Sequence, residues 1–159
     1  MTKLTINEVT KTEHAGLFTI CFEDETDTEL MKFINKFKND ARRKEDLSII
    51  LNAINRMLEV SGFLERYFRP EGKMSDHVVA LPVQKVSMRL YCLRMSDSVL
   101  IVGNGGVKNS KTYEEDPELN GYVIDLQRLD RLLKEEIKQG SVTIEEADIN
   151  GINNKIFEI

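Results

Sequence analysis

Apolar residues recur along this chain with two periods, and the switch from one to the other marks out its elements. Leu4 to Val9 and Leu17 to Phe22 are β-prone and flank a polar, turn-like stretch from Lys11 to Gly16, which predicts an N-terminal hairpin or two short strands. Thr26 and Glu29 have the spacing of a capping box, in which two side chains satisfy the free amides of a helix start. Leu30, Phe33, Ile34 and Phe37 then recur at i, i+3, i+4 and i+7, the stripe of a helix with one buried face. Leu47, Ile50, Leu51, Ile54, Met57 and Leu58 keep the same period. Arg43, Lys44, Glu45, Asn52, Asn55 and Arg56 form the outer face of this second helix, and Gly62 is its expected stop.

Residues 62–76 place Pro70 and Gly72 among Phe63, Tyr67 and Phe68, predicting a loop with aromatic anchors. Val78 to Val83 predicts a short strand. Val86 to Met95 is the clearest strand, with Val86, Met88, Leu90 and Cys92 alternating with Ser87, Arg89, Tyr91 and Leu93. Ser96-Asp97-Ser98 is a turn into the apolar strand Val99 to Val102, and Gly103 to Gly106 reads as a loop able to adopt positive φ. Asp116 before Pro117 has the form of an N-cap with proline at the first helical position. Leu119, Val123, Leu126, Leu129, Leu133 and Ile137 make the third helical stripe, closed by Gly140. Beyond it an acidic tail offers Val142 to Ile144 and Lys155 to Ile159 as edge strands. The expected fold class is α+β: a small antiparallel sheet packed against two N-terminal helices and one C-terminal helix. It forms one domain over 1–159, with 1–25 an N-terminal hairpin extension and 141–159 a C-terminal tail.

Composition narrows the setting. The 159 residues are 41% hydrophobic and 31% charged, which is the balance of a folded domain and not of a disordered one. Cys21 and Cys92 lie in separate strand-like runs and read as buried small hydrophobes in a reducing compartment. Polar residues at Thr2, Lys3, Asn7 and Glu8 interrupt the start before any signal-like apolar run, and no apolar run approaches the ~20 residues of a membrane span. A cytoplasmic location without membrane association is therefore expected.

The net charge of −5 is unevenly spread. Residues 1–31 set two Lys/Arg against seven acids, residues 32–94 set thirteen against seven, and residues 95–159 set seven against thirteen. A basic middle between acidic ends points to a local anion-binding face.

Motif chemistry is sparse. There is no CxxC, HExxH or His/Cys cluster for a zinc site, no GxSxG nucleophile, and Gly103 to Lys108 lacks the ending of a phosphate-binding loop. No cofactor is expected. His14 lies in a turn, whereas His77 opens a strand and could serve as an acid or base near neutral pH. The basic residues Lys85, Arg89, Arg94, Lys108 and Lys111, with Tyr91 and Tyr113, would gather at one end and one face of a small sheet if the two strands pair. Arginine and lysine there can bind phosphate and stabilise charge developing during phosphodiester cleavage. Strand alternation sends Arg89 and Arg94 to opposite faces, so only one is expected in any one site.

A strand, two helices, a glycine-ended linker, the strand Leu90-Tyr91-Cys92-Leu93-Arg94, the apolar strand Val99 to Val102, an exit carrying Gly106, Lys108, Lys111 and Thr112, and a helix started at Pro117 together resemble the RelE/ParE superfamily of toxins, nearest its HigB-like branch. The likeness spans roughly residues 30–130, in order and proportion more than in identity. It implies a RelE-like fold and a toxin-like component of a toxin–antitoxin pair, a metal-independent endoribonuclease acting on mRNA. The partners implied are an antitoxin protein of the helix-turn-helix type and mRNA or the ribosome. Carried over, Arg94 and Lys108 would hold the scissile phosphate with Lys111 assisting. Tyr91, Tyr113 or His77 would act as proton carrier or base-stacking platform, and Lys85 and Arg89 would contact RNA. The alternative is a non-catalytic protein-binding module with a degenerate toxin fold.

Overall fold

The strand-forming runs collect into one sheet that is larger than the pattern predicts. The structure, a computed structural model, describes residues 2–71, 76–82, 87–108 and 116–159. Strand β1 (Lys3–Lys11) and strand β2 (Gly16–Phe22) form the expected antiparallel hairpin. Helices α1 (Glu29–Phe37) and α2 (Lys44–Arg56) follow, the second running into a π-helical turn at Met57–Ser61 that Gly62 ends at φ +79°. Strands β3 (Arg69–Pro70), β4 (Val78–Pro82), β5 (Met88–Ser96) and β6 (Val99–Val107) make an antiparallel meander. Helix α3 (Pro117–Gln139) crosses back, β7 (Thr143–Glu145) and β8 (Asp148–Asn150) form a separate hairpin, and β9 (Phe157–Glu158) ends the chain.

Among the described residues the main sheet has seven strands in the order β3-β4-β5-β6-β2-β1-β9. It is mostly antiparallel, and its one parallel pairing joins β2 to β6 with Gly16 to Thr19 beside Val99 to Val102. The expected antiparallel sheet is thus present with one parallel pairing that the pattern did not signal. Two short apolar segments far apart in sequence look alike from either direction, and only the tertiary fold sets their sense. The hairpin expected as an extension is two strands of this sheet, and of the two expected tail strands only β9 joins its edge.

The helices divide between the faces. Leu30, Phe33 and Phe37 of α1 and Leu47, Ile50 and Ile54 of α2 pack with Leu17, Met88, Leu90, Cys92, Leu100 and Val102. Leu119, Val123, Leu126, Leu129 and Leu133 of α3 cover the other face, against Ile20, Tyr91, Leu93, Val99 and Ile101. Central strand β6 is therefore buried on both sides from Val99 to Gly106. Its period-two pattern is lost because neither face meets water.

Two local expectations change. The N-cap of α1 is Thr28, whose side chain accepts from the Met31 amide, rather than Thr26. Gly103 to Gly106 belong to β6 and none has positive φ. These glycines are there for close approach: a Cβ on Gly105 would lie 1.9 Å from the Arg89 carbonyl oxygen, and one on Gly106 would lie 3.1 Å from Leu119. The α3 caps are as expected, with Asp116 accepting from the Glu118 and Leu119 amides and Gly140 left-handed at φ +84°.

Gly105→Ala should cost about 2–3 kcal/mol, as overpacking does, and lower the melting temperature by roughly 5–10 °C in thermal denaturation. Gly121 lies inside α3 with nothing within 4 Å of a built Cβ. Gly121→Ala should instead stabilise by about 0.5–1 kcal/mol, the helix-propensity gain.

Candidate functional site

The place where β2 and β6 part company holds the most concentrated polar chemistry. Their ladder ends at Thr19 and Val102, after which β2 leads into α1 on one face and β6 leads towards α3 on the other. Where adjacent parallel strands send their connections to opposite faces, a fork opens beyond their carboxyl ends, and α/β proteins commonly bind ligands there. Thr19 closes the ladder: its hydroxyl donates to the Val102 carbonyl oxygen at 2.8 Å and accepts from the Leu30 amide at 3.3 Å. That second bond satisfies a free amide of the first turn of α1.

Beyond it lie Glu29 and Asn104, each 3% exposed. Asn104 Nδ2 donates to Glu29 Oε1 at 3.3 Å, and its Oδ1 accepts from the Gly105 amide at 2.8 Å. Lys32 Nζ sits 2.6 Å from Glu29 Oε2 and 2.7 Å from Glu25. Lys36 crosses the fork, donating from α1 to the Gly105 carbonyl oxygen at 2.9 Å and, on α3, to Glu118 and the Tyr122 hydroxyl at 3.0 Å each. Tyr122 also donates to Glu118 at 2.6 Å.

The titration of these groups follows from their partners. Hydrogen bonds from Tyr122 and then Lys36 hold the Glu118 carboxyl below its usual range. Burial, then the bond to Glu118, pushes the Tyr122 hydroxyl far up. Burial opposes the Lys32 ammonium, but its bonds to Glu25 and Glu29 outweigh that and raise its pKa. Burial, then the charge of Glu29, pushes the Asp125 carboxyl up. Burial, then Glu25, raises the Cys21 thiol and makes it a poor nucleophile. The fork is filled by side chains that hydrogen-bond or ion-pair with one another, so its chemistry is that of a polar plug between the two halves of the sheet.

Of the residues expected to act on phosphate, Arg94 and Lys108 do not come together. Arg94 lies opposite Leu100 near the turn into β6, while Lys108 follows Val107, opposite Met88 and Ser87 at the other end of the same pair. At about 3.3 Å per residue the two are roughly 20 Å apart along the strands. Arg94 is committed structurally: Nε donates to the Phe63 carbonyl oxygen at 2.8 Å and the guanidinium pairs with Asp97. Asp97 in turn accepts the Phe63 amide at 2.6 Å, so this arginine fastens the loop after α2 to the β5–β6 turn.

Tyr91 is fully buried beneath α3, where no base can stack on it. Lys85, Lys111 and Tyr113 lie outside the described residues. Arg89 and Lys108 do share an end of the sheet, and with Arg69 they act on the half-buried Glu71 carboxyl. Burial still pushes Glu71 up despite the three cations, and burial, then Arg69, pushes the Arg89 guanidinium down. Sequence reasoning missed Arg69 and Glu71 because nothing in the loop reading of residues 62–76 put β3 beside β4.

His77 has a partner that the sequence concealed. Its Nδ1 is 2.6 Å from Asp130 Oδ1, and its amide donates to Oδ2 at 3.1 Å. Asp130, on α3, is 1% exposed and also meets Lys134 at 3.2 Å. The carboxylate fixes the ring by accepting from Nδ1, the arrangement that orients a histidine for proton transfer or anchors it structurally. Burial works against the Asp130 charge, but the His77 hydrogen bond and charge outweigh it and hold the carboxyl below its ordinary 3.8. The signal in sequence was Asp130 on the apolar stripe side of α3, next to Leu129.

No protein-family model matches this chain, no curated protein is significantly similar to it, and no solved structure matches it. The class established is thus an α+β domain with a mostly antiparallel sheet and helices on both faces, and among the described residues no helix is long and apolar enough to cross a membrane.

Asp130→Asn should destabilise the protein by about 1–3 kcal/mol at pH 7 through loss of the charge-assisted bond to His77. Because the folded carboxyl titrates below 3.8, acidification protonates the unfolded chain first. The wild-type advantage should therefore be complete above about pH 5 and shrink as the pH falls through the folded value. Urea titrations of both proteins across acid pH measure the difference.

Proposed function

We propose that this chain is a non-catalytic protein-binding module on a RelE-like frame, the retained scaffold of a toxin–antitoxin component acting in the cytoplasm. The order β2, α1, α2, β4, β5, β6, α3, with the meander closed against β2, supports the frame. The observation that carries the binding reading is the commitment of Arg94 to Asp97 and the Phe63 carbonyl, about 20 Å from Lys108. A phosphate cannot bridge that pair, and Tyr91 is sealed under α3. Helices occupy both faces, so the sheet offers partners its edges rather than a concave RNA-binding face. An antitoxin-type protein is the partner class this reading implies.

The second reading, an endoribonuclease, is supported by Arg69, Arg89 and Lys108 around Glu71, a compact cationic end able to hold a phosphate.

Induced expression in bacteria separates the two. The module reading expects soluble protein, unimpaired growth and intact mRNA. It also expects Arg94→Ala to lower the melting temperature through the lost loop anchor, by about 1–3 kcal/mol of stability. Growth arrest with mRNA loss that Arg94→Ala/Lys108→Ala relieves would overturn it and restore the catalytic assignment. Arrest relieved by Arg89→Ala but not by Arg94→Ala would move catalysis to the cationic end.

A further inference from the structure

The two edges of the main sheet are finished differently. At one edge β3 has only two residues, and the second is Pro70, which has no amide to donate. At the other, β1 has nine residues, and β9 covers only Lys3 and Leu4. Its ladder alternation is set by two bonds: the Thr2 carbonyl faces outward and accepts from the Ile159 amide, and the Lys3 carbonyl faces inward and accepts from the Glu23 amide. Even-numbered residues therefore turn their backbone groups outward, which puts the N–H and C=O of Ile6 and Glu8 on the open edge. Among the described residues nothing pairs with them before the bulge between Glu8 and Thr10.

A groove of about 520 Å³ runs along this stretch, with Thr5 to Glu8 on one side and the segment from Asp148 to Asn154 on the other, over Phe18 and Ile152. Two apolar side chains next to this stretch in sequence are exposed, Val9 after Glu8 at 44% and Ile156 before β9 at 53%. Its rim is acidic. Glu8 and Asp148 line the groove itself, and Glu145 and Glu146 line an adjoining hollow with Asp148. Lys11 pairs with two of these acids, 2.5 Å from Asp148 and 3.8 Å from Glu8.

We propose that the open β1 edge is a docking site for an extended, cationic segment of another protein. That segment adds as a strand in line with β9, pairing its backbone with Ile6 and Glu8, and sets lysine or arginine side chains against Glu8, Glu145, Glu146 and Asp148. Strand addition draws affinity from the backbone ladder and specificity from the flanking side chains. A second copy of this chain fits poorly: edge-to-edge pairing would bring the same carboxylates face to face, and β3 is too short and proline-ended to complement β1. The inference rests on the protein-binding reading. The assay below reports only on the edge, whereas the expression assay reports on catalysis, so each can fail without the other.

The probe is a labelled dodecapeptide of alternating lysine and valine, with its glutamate–valine counterpart as control, titrated into the full chain by fluorescence anisotropy and amide NMR. The lysine peptide should bind and the glutamate peptide should not. Binding should shift and protect the Ile6 and Glu8 amides and should weaken with added salt. Glu8→Pro removes an outward amide and should reduce affinity about tenfold or more, while Glu8→Gln keeps the amide, loses only charge and should reduce it about threefold. The NMR shifts on the unmodified chain keep the test decisive should Glu8→Pro fold poorly. Absence of binding, equal binding of both peptides, or shifts confined to residues away from β1 would overturn the proposal. A dimer of the free chain in sedimentation that Glu8→Pro dissolves would overturn it too, by assigning the edge to a second copy.

Discussion

Four residue pairs hold the two halves of this sheet together. The β1–β2 hairpin and the β3–β6 meander meet only where Gly16 to Thr19 run parallel to Val99 to Val102, and every other strand pairing is local to its own half or terminal. So short a junction has to be reinforced where it ends. Thr19, Glu29 and Asn104 are three of the four buried polar or charged residues among those described, and all three sit at that end. A buried carboxylate is costly without partners, and Glu29 has Lys32 on one oxygen and Asn104 on the other. Lys36 does most to unify the structure: one ammonium reaches the β6 backbone and two side chains of α3 from its place on α1. The network meets the strands in the register that sets Thr19 beside Val102.

Covering both faces follows from the same junction. Because the chain leaves β2 on one side and β6 on the other, α1 and α2 take one face and α3 the other, and β6 becomes a strand with no wet side. Its glycines answer to that position. Arg89 and Leu119 press on Gly105 and Gly106 from neighbouring elements, so side chains there would part β5 from β6 or α3 from the sheet. Function is pushed outward by this arrangement. A sheet whose central strands are covered on both faces presents its backbone at its edges.

Elements whose signals are local were legible in the sequence. Asp116 with Pro117 and Gly140 bound α3 as read, since caps depend on residues within one turn. The stripe from Leu47 to Leu58 marked α2, although its last turn widens into a π-helical one before Gly62. Non-local features were not legible. The parallel sense of β2 and β6, the depth of Gly103 to Gly106, and the partnership of His77 with Asp130 each depend on segments tens of residues apart. The separation of Arg94 from Lys108 was hidden for a related reason. Placing Arg94 with Lys108 assumed that residues close to the same hairpin lie at one end of it, but the register puts one near the turn and the other at the open ends. Tyr91 was expected as a proton carrier or base-stacking platform, and the packing of α3 on that face buries it.

The uneven charge along the chain acquires a spatial meaning from the strand order. From the acidic first segment Glu8 of β1, and from the acidic tail Glu145, Glu146 and Asp148, come together beside one edge. Arg69 and Arg89 of the basic middle lie on β3 and β5, and Lys108 just after β6 acts with them on Glu71. A sheet charged oppositely at its two edges invites head-to-tail growth, the heterologous contact that does not close. Here the basic edge is cut to two residues and ended by Pro70, while the acidic edge keeps a regular stretch through Glu8. Shortening one edge is enough to stop the chain from extending itself, because a ladder needs two willing strands. The long edge can then remain open without risk of a fibre, provided that whatever pairs with it comes from a different chain.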